Sequence, residues 1–166
     1  MTTLPVNAFS KQKTPSIVWW SIFLVASIWC QELTGGLDFL SPGLLVCLQM
    51  SQWGTVLWMT TLWVFIQEGI GNFEFGVIIL FYTGMYLAFF LSRWLLEPGN
   101  FLFIFLFSLI LAIWNWIIVL GAVSFQELHV LLPSPWKQIP LQWLAYVVHW
   151  SISLALFRRS VKYGHL

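Results

Sequence analysis

The sequence predicts an all-α, polytopic membrane bundle of about six transmembrane helices, with short, broken second and third spans. Three observations carry that reading. The chain is 60% hydrophobic, above the roughly 45–50% of soluble domains. Only 8% of its residues are charged, against about 25% in a soluble domain, which is too few to cover a globular surface. The apolar residues also fall into runs of spanning length, separated by glycine, proline and charged residues. The net charge of +1 leaves no basic patch for a nucleic acid. The bilayer is therefore the expected partner of most of the surface, and nucleic acid is not expected.

Residues 1–15 read as a polar N-terminal tail, 16–158 as the membrane domain and 159–166 as a basic tail. The first span is expected over Ser16 to Gln31. It also has features of a cleavable leader, because Lys11 and Lys13 precede an apolar core and Val25-Ala26-Ser27 suits a peptidase. Retention of the span is the expectation adopted. Gly35 to Asp38 and Ser41-Pro42 then break the run. Gly43 to Met50 is short, Ser51 to Gly54 interrupts it, and Thr55 to Ile66 follows. Residues 43–66 thus form either one tilted helix or two short ones hinged near Gly54. The remaining spans are expected over Phe75 to Leu91, Phe101 to Phe125 and Ile139 to Phe157.

Charge asymmetry favours six spans over five. Lys and Arg stay on the cytoplasmic side. Six spans with a cytoplasmic start put Lys11, Lys13, Arg93, Arg158, Arg159 and Lys162 inside and leave Lys137 outside. Five spans would move Arg93 and the basic tail outside. Both termini are therefore expected in the cytoplasm.

Several residues invite a functional reading. Trp19, Trp20, Trp53, Trp94, Trp136 and Trp143 lie near span ends, where indoles anchor at the headgroups. Trp114 and Trp116 flank Asn115; two residues apart, they point to different helix faces. Asn115 and His149 are the midplane polar residues. Gln142, Ala145, His149 and Ser153 form one stripe, either an interhelical hydrogen-bond seam or a ligand contact. Gly84, Ala88 and Ser92 recur every four residues, with Gly76 two steps earlier. Small residues let helices approach closely, so this face packs either within the chain or against a partner. Glu68 and Glu74 flank a glycine-containing turn and read as loop charges.

Enzymatic chemistry is not expected. The single aspartate, Asp38, excludes an aspartyl dyad. Cys30 and Cys47 lie too far apart for a redox pair. No metal motif and no cofactor is expected; His129 and His165 fall in a loop and a tail, which leaves a haem without a second axial ligand.

The layout resembles the MreD rod-shape-determining family over about Ser16 to Lys162. Ser41-Pro42-Gly43-Leu44-Leu45-Val46 is similar to the proline-led start of that family's second span. Gly54-Thr55 resembles the entry to its third. Gln67-Glu68-Gly69 followed by Phe75-Gly76 resembles its acidic–glycine turn and Leu-Gly step, and Arg158-Arg159 its basic end.

The resemblance implies a non-catalytic scaffold in the bacterial inner membrane, serving cell-wall elongation. It implies an MreC-like single-span partner, for which the Gly76, Gly84, Ala88 and Ser92 face is the candidate docking surface. More distant partners would be a wall polymerase–transpeptidase pair and MreB. It also implies a fold similar to the substrate-binding subunits of energy-coupling-factor transporters. The alternative is therefore a vitamin-type transporter subunit, with its ligand among Asn115, His149 and the Glu68–Glu74 loop.

Overall fold

The computed structural model describes residues 17–70, 76–95, 97, 100–125 and 134–163. Glu74, His129, the whole N-terminal tail and the last three residues, His165 among them, lie outside them. Six helices follow in order: α1 (Ile17–Leu33), α2 (Ser41–Gln49), α3 (Trp53–Ile70), α4 (Val77–Leu95), α5 (Phe101–Phe125) and α6 (Pro135–Tyr163). No strand occurs among the described residues.

The protein is a helical membrane protein. Helices α4, α5 and α6 are each long and apolar enough to cross a bilayer. At 1.5 Å per residue, the 25 residues of α5 reach about 37 Å, beyond the roughly 30 Å hydrocarbon core. The surface is inverted relative to a soluble protein. Leu57, Leu87, Leu91 and Ile22 are exposed, whereas Asp38, Ser41, Gln142 and Ser153 are buried.

Residues 43–66 form two helices. The break is the Met50–Gln52 turn, where Ser51 takes φ 55°; Gly54 lies inside α3. Ser41-Pro42 starts α2 instead of only ending the preceding run, because proline in a first turn gives up an N–H that would lack a partner anyway. Gln67-Glu68-Gly69 continues α3 instead of stopping it. Gly76 is not on a helical face at all. It sits in the turn before α4 at φ +108°, a conformation that glycine adopts without a Cβ penalty. The last helix begins at Pro135, again suited to a first turn. It carries Pro140 inside, at the cost of one ladder hydrogen bond.

Helix directions alternate. Trp19 of α1 meets Phe157 of α6 edge-on at 5.6 Å, so the start of α1 and the end of α6 share one end of the bundle. The end of α4 and the start of α5 meet through Phe89 and Phe103, 5.7 Å apart. Helix α2 runs in the direction of α6: Asp38, just before it, bonds Gln142, and Gln49 at its end accepts from Trp150 Nε1 at 3.0 Å.

At nine residues, α2 is too short to cross, and Ser41 through Leu48 are all buried. It is the centre of the bundle. Gly43 permits this, because a Cβ there would come within 2.5 Å of the Phe23 ring and 2.7 Å of Trp63. A second close approach joins α4 to α5. A Cβ on Gly84 would lie 2.3 Å from the Trp114 indole, and that indole donates its N–H to the Phe81 carbonyl at 3.1 Å. Phe89, Phe103, Phe107 and Trp150 close the core beneath.

Candidate functional site

The densest polar cluster is built around Asp38, in the link between α1 and α2. Its Oδ1 accepts the backbone N–H groups of Leu40 at 2.9 Å and Ser41 at 3.2 Å. The carboxyl therefore caps the first turn of α2, satisfying donors that a helix start leaves open and placing an acidic group at the positive end of the helix dipole. Its Oδ2 accepts the Ser41 hydroxyl and, at 2.8 Å, the Tyr146 hydroxyl from α6. Gln142, one turn earlier on α6, grips the Asp38 backbone twice. It accepts the Asp38 N–H at 3.1 Å and donates to the Asp38 carbonyl at 3.0 Å. Asp38, Ser41, Gln142 and Tyr146 are all buried. In an apolar surrounding each such group needs a partner, and here each finds one.

A second, smaller polar layer lies between α3 and α4. Tyr82 donates to Gln67 Oε1 at 3.3 Å, and the Gly76 N–H donates to Glu68 Oε1 at 2.8 Å. Glu68 and Gln67 thus hold the α3–α4 connection, which is why α3 runs on through them.

Beside both layers is a cavity of about 290 Å³. It lies at the end of the bundle opposite the start of α1 and the end of α6. Gln31, Asp38, Gln67, Asn115 and Gln138 give it polar walls, and Phe81 and Trp116 give it aromatic ones.

The residues singled out from sequence are not brought to one place. Asn115 lines the cavity. His149 does not. It lies between α1 and α6, with Nε2 3.2 Å from the Ser27 hydroxyl and its ring against Phe23 and Phe39. The stripe on α6 is divided accordingly: Gln142 serves Asp38, and His149 serves α1. Trp114 and Trp116 do face different ways, one packing on Gly84 and the other lining the cavity. Gly84 is filled by Trp114 of the same chain, Gly76 lies in a turn, Ala88 packs half-buried against the core, and Ser92 is half-buried on α4. Among the indoles near span ends, Trp53, Trp94 and Trp136 are exposed, whereas Trp20 is buried.

Sequence reasoning missed Asp38, which it left in a loop. It also missed Tyr146 and Tyr82. One local signal existed, since an aspartate three residues before Ser-Pro is a helix-start pattern. The partners on α6 are more than a hundred positions away, and no spacing rule reaches them.

Chemically, the Asp38 cluster is a clamp. All four contacts to its oxygens come from donors of the fold, and none is left facing the cavity as an acid–base pair. Among the described residues no group of three His, Cys, Asp or Glu side chains could hold a metal ion. Comparison of the chain with family models, curated proteins and solved structures found no match.

Proposed function

We propose that the chain is a non-catalytic scaffold of the bacterial inner membrane, acting in cell-wall elongation. Its direct partner is an MreC-like single-span protein, with wall-synthesis enzymes and MreB held at one remove. The sequence resemblance over Ser16 to Lys162 supplies the identity of the partner. In this reading six helices cross or enter the bilayer and both termini are cytoplasmic. That topology puts Arg93, Arg158 and Arg159 on the cytoplasmic side, as cationic side chains prefer.

The observation that carries the scaffold reading is the outer face of α1. Ile22, Val25, Ala26 and Trp29 form one open, apolar groove. Helix α1 is joined to the bundle by long aromatic side chains and leaves this face uncovered. A small residue between larger ones lets a single foreign helix approach. The Gly84 face, expected from sequence to take this role, is used for packing on Trp114. The partner span therefore docks on α1.

Ala26→Phe fills the groove without touching the core. The variant is expected to insert and melt like the wild type but to lose co-purification of the MreC-like protein. Undiminished co-purification would overturn the assignment of this face.

A further inference from the structure

The cavity beside Asp38 is not explained by packing. Four carboxamides line it; that of Gln67 accepts from Tyr82, whereas those of Gln31, Asn115 and Gln138 bond no other described residue. The Gln31 Oε1 atom is buried without a partner. Buried polar atoms are ordinarily hydrogen-bonded, so this unpartnered oxygen, with two further half-buried carboxamides beside it, points to something that fills the space.

We infer that this cavity binds a small, neutral, polyhydroxylated ring of monosaccharide size. Each carboxamide offers both a carbonyl acceptor and an N–H₂ donor. That pairing matches a hydroxyl group, which also donates and accepts. Trp116 and Phe81 supply flat apolar walls for the C–H face of such a ring. The described lining offers no free charge: among the described residues Asp38 is the one ionisable group lining the cavity, and both of its oxygens are engaged by Leu40, Ser41 and Tyr146. The volume of about 290 Å³ lies just below the roughly 300–1,000 Å³ of small-molecule pockets, which suits one ring. Such a ring could arrive free or as the headgroup of a glycolipid. The site is compatible with a scaffold and does not depend on that role.

The test uses the full chain in phosphatidylcholine nanodiscs, which avoids detergents with sugar headgroups. Saturation-transfer NMR is recorded with methyl β-glucoside, glucuronate and glucosamine. A second set of nanodiscs carries monoglucosyl diacylglycerol as competitor. The neutral glucoside is expected to give saturable transfer and the two charged sugars none. Competition by the glycolipid identifies a headgroup as a source; its absence identifies the free sugar. Asn115→Leu and Gln138→Ala are each expected to weaken binding about tenfold, the loss of one hydrogen bond, with thermal unfolding unchanged. Gln138 is half-buried near the start of α6, so its variant keeps the test valid should Asn115→Leu fold poorly. No saturable signal from the glucoside or the glycolipid, equal binding of charged sugars, or binding indifferent to both substitutions would overturn the inference.

Discussion

Asp38 shows how one residue organises the interior. It accepts from two backbone N–H groups and two hydroxyls, and its own backbone is gripped by Gln142. In lipid the alternative to these bonds is an unsatisfied group, not a hydrated one. Tyr146→Phe removes one donor and is expected to cost about 1–3 kcal/mol. Asp38→Ala strands the Ser41 and Tyr146 hydroxyls together and is expected to cost more. Thermal unfolding in lipid nanodiscs measures both, and near-native melting of Asp38→Ala would show that the clamp is not structural. Little of this was legible in sequence. The aspartate stands in a Gly-Gly-Leu-Asp stretch that reads as a turn, and its partners are set by the docking of α6.

At the scale of the helices, local pattern served better. The α5 bounds follow from an uninterrupted apolar run and match the expectation residue for residue. The misjudged ends are those where tertiary contacts override local signals. Helix α3 runs through Gln67 and Glu68 because Tyr82 and the Gly76 N–H bond them. The small-residue stripe on α4 was visible, but its neighbour was not: a four-residue period marks a close approach without saying to what. The answer at Gly84 is Trp114. Gly84→Ala drives a methyl group into that indole and is expected to destabilise by about 1–3 kcal/mol, the usual cost of overpacking. Gly43→Ala, caught between Phe23 and Trp63, belongs to the same class. Denaturation curves of the two variants check this, and wild-type stability in both would mean that the helices have room to separate.

For the whole molecule, composition settled the solvent. Too few charges and too many apolar residues leave lipid as the medium, and the structure answers with apolar side chains outside and the hydrogen-bonded Asp38 cluster inside. The alternating helix directions put Arg93, Arg158 and Arg159 towards one end and the polar cavity towards the other. A scaffold with this arrangement would hold its wall-synthesis partners through lipid-facing helices, and α1 carries one such open apolar face. The most direct measurement is purification of the chain from its native membranes in mild detergent, with every co-purifying protein identified. The scaffold account predicts an MreC-like single-span protein together with wall-synthesis enzymes. A pair of ATPase subunits with a coupling membrane protein, and no MreC-like protein, would contradict it.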